Sequence, residues 1–185
     1  MAQRAAGKAV ARVDVLKIDN LTKQFGGLTA VGDLSLSIPQ GKIHGLIGPN
    51  GAGKTTVYNL ITGIYQPTKG TIELEGTSLV GRSCHEIVQM GVARTFQNLR
   101  LFRKLTTLEN IVIARQHAAT YRLFDAALRT KKFREAEKQL HAESKELLEL
   151  VGLGEYVGFT AGNLPYGHQR RLEIARALAL SPKLL

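Results

Sequence analysis

An α/β fold is predicted, and three features of the sequence predict it. The short apolar run Lys42–Ile47 leads straight into a glycine-rich loop, Gly48–Gly53, and then into a helix-like stretch, Thr56–Ile61, that ends near Gly63. Leu34–Ile38 and Thr71–Glu75 alternate apolar and polar residues, the period of a half-buried strand. Residues 106–154 hold few glycines and place Phe133, Ala136, Leu140, Leu147, Leu148 and Val151 at the spacing of one helix face. The expected architecture is a parallel-sheet core around the glycine loop, a small antiparallel β layer and an inserted helical subdomain.

Taken in order, residues 1–12 are Ala-rich and basic and read as a flexible tail. Val13–Ile18 reads as a strand, Leu34–Ile38 as a second, and Lys42–Ile47 as a buried strand. The Pro67–Gly70 turn precedes the Thr71–Glu75 strand. A short helix is expected near Ser83–Met90 and an apolar strand over Gly91–Thr95. Gly152 is placed to end the long helical stretch, whose apolar stripe reads as core packing. These elements divide the chain into a tail (1–12), a core with its β layer (13–97), a helical subdomain (98–162) and a final loop and helix (163–185).

A chain of 185 residues suits one domain, or one domain with a small insertion, and 44% hydrophobic residues suffice for a core. No apolar run approaches the roughly 20 residues that span a bilayer. The N-terminus lacks the apolar stretch of a secretory signal. Cys84 stands alone, and His44, His85, His117, His141 and His168 show no metal-ligand spacing, so a reduced, cytoplasmic setting is expected. Of the net charge of +10, residues 98–134 hold +7 (nine Lys or Arg against Glu109 and Asp125), and Arg4, Lys8 and Arg12 add three. A basic surface suits nucleic acid or an anionic membrane. The positive residues are spread out without interleaved aromatics, which counts against a single-strand binder. A solvated face remains, beside a membrane or not.

The loop reads Gly48-Pro49-Asn50-Gly51-Ala52-Gly53-Lys54-Thr55-Thr56, a phosphate-loop pattern. Its glycines permit backbone that a Cβ forbids, so that N–H groups converge on an anion at the start of a helix. Lys54 supplies charge to the β and γ phosphates, and the Thr55 hydroxyl can ligate Mg²⁺. The predicted ligands are a nucleoside triphosphate, ATP, with Mg²⁺. His44, in the preceding apolar run, reads as structural.

Residues 163–178, beginning Asn163-Leu164-Pro165-Tyr166-Gly167-His168-Gln169-Arg170-Arg171 and continuing Leu172-Glu173-Ile174-Ala175-Arg176-Ala177-Leu178, resemble the signature loop and helix of ATP-binding-cassette proteins. Leu164-Pro165-Tyr166-Gly167-His168 departs from that family's usual Leu-Ser-Gly-Gly-Gln. With Phe25–Val31 and Ala93–Phe102, it looks like the subfamily serving branched-chain amino-acid importers. The resemblance runs from about Val13 to Leu185.

The resemblance implies an ATP hydrolase subunit of a membrane importer. Phe25 corresponds to the aromatic that stacks on adenine, with Val31 lining the same pocket. Gln97 matches the glutamine that touches Mg²⁺ and the attacking water, so Lys54 and Gln97 carry the catalytic expectation and Thr55 and Gln97 the metal one. Two such subunits, here expected as a heterodimer, pack head to tail. Leu164, Pro165, Tyr166, Gly167, His168 and Gln169 of each then meet the partner's ATP, the helix starting near Gly167. Pro165 in place of serine removes a hydroxyl and a backbone donor from that contact. Arg170, Arg171, Glu173 and Arg176 read either as part of the signature or as a solvated helix face.

An integral membrane permease is expected to contact Leu99–Leu105, and an extracytoplasmic solute-binding protein to take part indirectly. The expected place is the cytoplasmic face of the membrane. Other solutes, urea or another amino acid, fit the same fold, as does a non-hydrolysing remnant. A soluble, nucleic-acid-acting relative is disfavoured by the single phosphate loop, and no nucleic-acid partner is expected. The resemblance further implies an apolar strand starting at Leu184 and Leu185, whose Mg²⁺-binding aspartate and following glutamate (Walker B) lie past residue 185, as does the family's switch histidine. On that expectation roughly the last quarter to third of the domain is missing, and residues 1–185 alone do not turn over ATP.

Overall fold

The computed structural model describes residues 14–96, 99–116, 125, 128 and 130–185. The chain divides into two compact units that part between Met90 and Gly91.

The first unit is built on a four-stranded antiparallel sheet of order β2-β1-β3-β4, with β1 Asp14–Phe25, β2 Leu28–Pro39, β3 Lys69–Leu74 and β4 Thr77–Ser78. Strand β1 runs between two partners: Leu16 faces Ile38 and Leu74, and Ile18 faces Leu36 and Ile72. Leu16, Ile18, Leu21 and Ile72 are all but sealed from solvent, each contributing about 1.5–3 kcal/mol by burial. Strand β2 lies at the edge, and its Leu34, Leu36 and Ile38 are half-buried while Ser35 and Ser37 are exposed, the alternation expected of it. Helix α1, Lys54–Ile61, buries Val57 and Leu60; helix α2, Cys84–Gln89, buries Ile87.

Two expected strands differ. Lys42–Ile47 forms no ladder, and Ile43 and Ile47 are 103% and 95% exposed. A strand buried on both faces needs hydrogen-bonding neighbours along its edges, and no described strand pairs with this run. Gly91–Thr95 is reduced to one parallel bridge, Val92 to Leu184. That bridge is the only trace of a parallel sheet among the described residues; the α/β class stands on the antiparallel sheet and its helices.

The second unit is helical: α3 Thr107–Arg115, α4 Lys131–Leu150 and α5 Tyr166–Leu178, with 3₁₀ turns at Gly154–Tyr156 and Ala161–Asn163. Its core gathers Ile111, Leu148, Leu153, Ala161, Leu164, Leu172, Ala175 and Ala179. An Arg115–Glu143 ion pair joins α3 to α4. Gly152 ends α4 as expected. With φ at +71° it turns the chain so that its N–H donates to the Glu149 carbonyl (2.9 Å) and the Leu153 N–H to that of Leu148 (2.7 Å). Leu153 is thereby delivered into the core beside Leu148, the apolar contact that accompanies this kind of helix end.

Helices α2 and α3 both begin with reciprocal capping boxes, Ser83 with Glu86 and Thr106 with Glu109. Bonds from the capping residue's backbone N–H and hydroxyl hold each carboxyl below its ordinary value of 4.5. A depressed folded value means stabilisation that is present above the ordinary carboxylate range and lost as pH falls through the folded value. Replacing Glu86 and Glu109 together by Gln should flatten the fall of Tm with pH below 4.5; an unchanged acid limb would contradict this. Gly152→Ala should destabilise the complete protein by about 1–2 kcal/mol in urea titration, the cost of a Cβ in the left-handed region, and an unchanged midpoint would contradict the cap.

Candidate nucleotide-binding site

The phosphate-loop residues form a turn that leads directly into α1. The Ala52 N–H donates to the Pro49 carbonyl (3.2 Å) and the Val57 N–H to that of Gly53 (2.9 Å). Gly51 and Gly53 have φ of +84° and +80°, and Gly53 caps the helix. A Cβ on Gly53 would stand 2.3 Å from the Ala30 carbonyl oxygen and 3.3 Å from Val31 Cγ2. The loop therefore abuts β2 at a point where only glycine fits, and Val31 is brought to the loop's end. Lys54 folds back over the loop, its ammonium donating to the carbonyls of Gly48 and Pro49, 2.6 Å each. An ammonium has three donors, so one remains for an anion. Thr55 is exposed on the first turn of α1, and Thr56 is half-buried.

This arrangement fits a polyphosphate. The glycine backbone, the unsatisfied N–H groups of the helix start and the captive ammonium all present positive charge in one place. Among the described residues no cluster of three or more acidic, His or Cys side chains could hold a metal by itself. Gln97 lies outside the described residues.

Phe25 closes β1, pairs with Leu28 across the Gly26-Gly27 turn and is 41% exposed. Tyr65 meets it edge to face, the ring centres 5.2 Å apart, and Lys23 Nζ lies 5.0 Å from the Phe25 centroid while donating to the Gln66 carbonyl at 2.7 Å. Tyr65 and Lys23 were not singled out from the sequence. Tyr65 sits in a loop with no periodicity to mark it, and only the sheet brings it to Phe25.

In the second unit, α5 starts at Tyr166, one residue before the expected Gly167, with Pro165 as its cap. The Pro165 carbonyl accepts from the N–H groups of His168 (2.9 Å) and Gln169 (3.0 Å). Tyr166 and Gly167 are exposed at the helix start. Leu164 is buried in the core, and Gln169 turns back to donate to the Leu164 carbonyl at 2.7 Å, so these two support the loop from beneath. The His168 ring rests against Tyr156, 4.7 Å between centres.

Of the run Arg170, Arg171, Glu173 and Arg176, the solvated-face alternative holds for Arg171 and fails for Glu173, with Arg170 and Arg176 half-buried. Glu173 is buried at 6% exposure, accepting from the Phe96 N–H (3.1 Å) and from Arg170 (3.0 Å). Arg176 donates to the Arg100 carbonyl and lies 5.0 Å over the Phe102 ring, and burial pulls its guanidinium below the usual value. Only Arg171 of the run is exposed. The i, i+3 spacing of 170, 173 and 176 was the available signal, because it places the three on one stripe. The segment Leu99–Leu105 mixes packed and exposed residues. Leu101 packs against the helical core, leaving Phe102 as the exposed apolar residue beside Arg103 and Lys104.

A family model described as ABC transporter matches residues 31–185. The high-affinity branched-chain amino acid transport ATP-binding protein LivG of Salmonella typhimurium is 46% identical over 171 residues, 92% of this chain and 67% of that protein. Its counterpart BraF of Pseudomonas aeruginosa is 43% identical over the same shares. The chain thus spans about two thirds of the length of these relatives, which are named as ATP-binding proteins of branched-chain amino-acid transport. Among solved structures, the ADP conformation of MJ1267, an ATP-binding cassette of an ABC transporter, matches with a TM-score of 0.72 and 28% identity over 91% of this chain and 66% of that one. The cbiO1 protein of Clostridium perfringens, part of the ABC transporter complex cbiONQ, shares the fold, with a TM-score of 0.75 at 20% identity over 91% of this chain and 62% of its own. With a family model over residues 31–185 and relatives 43–46% identical over 92% of its length, the chain belongs to the ABC transporter family.

Proposed function

We propose that this chain is the nucleotide-binding part of an ATP-hydrolysing subunit that powers uptake of branched-chain amino acids. The observation that carries the reading is the Gly48–Thr56 loop with Lys54 held over it, in a chain 43–46% identical to transport ATP-binding proteins of that class. Adenine stacks on Phe25, with Tyr65 at the ring edge and Val31 behind. The phosphates enter the loop from Gly48 to Thr56, where backbone N–H groups and the spare Lys54 donor neutralise them. Thr55 and Gln97 would hold Mg²⁺, which when bound offsets charge on the β and γ phosphates.

A second ATP-binding subunit, packed head to tail, would present its own signature to this ATP while Leu164–Gln169 here meet the partner's. The exposed start of α5 offers the N–H groups of Tyr166 and Gly167 and the positive end of a helix dipole, about half a unit charge. Pro165 supplies neither hydroxyl nor N–H, so the backbone alone makes that contact. The described residues contain no helix long and apolar enough to cross a membrane, so transport requires integral membrane subunits. Phe102, Arg103 and Lys104 are the surface proposed to meet them, at the cytoplasmic face of the membrane. A solute-binding protein outside would deliver the amino acid to those subunits. The domain limits at 12/13, 97/98 and 162/163 are proposed with this reading.

Three outcomes are expected in the complete protein. Lys54→Ala should weaken ATP binding about tenfold or more in titration calorimetry, since a charge-assisted contact is worth roughly 1.5–3 kcal/mol; an unchanged Kd would overturn the loop's role. Phe25→Ala should weaken ATP and GTP alike by about five- to a hundredfold, because stacking worth roughly 1–3 kcal/mol is blind to base identity. Loss for one base alone would contradict stacking. A cross-linker on Arg103→Cys in native membranes should capture an integral membrane protein, and capture of soluble proteins only would overturn the importer reading.

A further inference from the structure

We propose that Glu173, Arg170 and Arg176 of α5 are positioning residues that lock the backbone at Phe96 and at Arg100–Phe102 to the signature helix, so that the two move as one body. The inference rests on the reading of Leu164–Gln169 as signature and of Phe102–Lys104 as the membrane-subunit contact.

A carboxylate buried as deeply as Glu173 persists only if its oxygens are satisfied. One takes the Phe96 N–H at 3.1 Å, and the other takes Arg170 at 3.0 Å. Arg170 then donates to the Phe96 carbonyl at 2.8 Å and to the Tyr166 hydroxyl at 3.0 Å, on the first turn of α5. Phe96 is thus held by both its N–H and its carbonyl, and the same guanidinium reaches the exposed start of the signature helix. Farther along α5, Arg176 donates to the Arg100 carbonyl and covers the Phe102 ring.

The far side of this segment is fastened to the same region. Asn110, fully buried, accepts from the Phe102 N–H (3.0 Å) and donates to its carbonyl (3.1 Å). The N–H groups of Gly162 and Ala161, just before the signature, donate to the carbonyls of Arg103 and Leu105, 2.9 Å each. These contacts go to backbone atoms, so the grip is largely independent of which side chains the segment displays. Apolar packing alone would let the segment slide. Directed bonds to a buried charge are either made or broken, which converts a push on Phe102–Lys104 into a displacement of the start of α5.

Amide exchange of the complete subunit under rising denaturant tests the clamp without any membrane partner. Residues 94–105 and 164–176 should share one opening free energy in the wild type. In Glu173→Ala, exchange over 94–105 should rise about tenfold or more relative to 164–176. Glu173→Gln keeps one acceptor oxygen but turns an NH₂ donor toward the other donor, so it should loosen 94–105 by less than Glu173→Ala but measurably. Leu148→Ala, which opens a cavity in the same helical core, should loosen both segments together and so separates the clamp from general destabilisation. In ATP turnover by the complete, assembled protein, Glu173→Ala should lower kcat about tenfold with KM for ATP within about twofold. Independent opening of the two segments in the wild type, joint opening in Glu173→Ala, or an unchanged kcat overturns the proposal. Because the exchange experiment needs no permease, a failed Arg103 cross-link would count against the importer reading and not against the clamp.

Discussion

The nucleotide site depends on a close approach that only glycine permits. Gly53 caps α1 in a left-handed conformation, with the Ala30 carbonyl 2.3 Å from where its Cβ would stand. Contact at this point joins the start of a helix to the edge strand of a sheet. It brings Val31 to the phosphate loop, and the same strand pairs through Leu28 with Phe25. The proposed adenine platform and the glycine loop are therefore linked through one strand, while Leu16, Ile18 and Ile72 are buried in the sheet behind it. Lys54, tied to two loop carbonyls, is positioned before any ligand arrives, which reduces the ordering cost of binding.

The helical unit solves a different problem by different means. Its apolar cluster sets the helices, and Leu101 packs against it from the segment that follows residues 97 and 98. The segment is also held by charge-assisted bonds to its backbone from Glu173, Arg170 and Arg176, and by the Asn110 amide. Such contacts are strong in a low-dielectric setting and expensive to leave half-made. They suit a segment that holds one geometry while Phe102, Arg103 and Lys104 stay exposed.

Much of this was legible in the residues, for reasons that are local. The glycine loop, the alternation at Leu34–Ile38, the end of α4 at Gly152 and the short helix after Ser83 follow from backbone sterics, periodicity and capping, all written within a few positions. The run Lys42–Ile47 was misread because apolar composition signals a capacity for burial, whereas a strand exists only where neighbours offer a ladder. Glu173 stayed open between two readings because polarity on a helix suggests solvent, and its actual partner, the Phe96 N–H, lies 77 residues away in sequence. Tyr65 beside Phe25 is likewise a product of tertiary contact.

The most direct measurement is ATP affinity of the complete protein carrying Gly53→Ala, alongside its thermal midpoint. A Cβ at this position must displace either the Ala30 carbonyl or the loop, and the left-handed backbone adds about 1–2 kcal/mol of strain. The expected result is a loss of ATP binding of at least about tenfold, accompanied by a smaller phosphate-loop-dependent response to Lys54 replacement and a folded sheet. Wild-type ATP affinity in Gly53→Ala would contradict the claim that this contact organises the site.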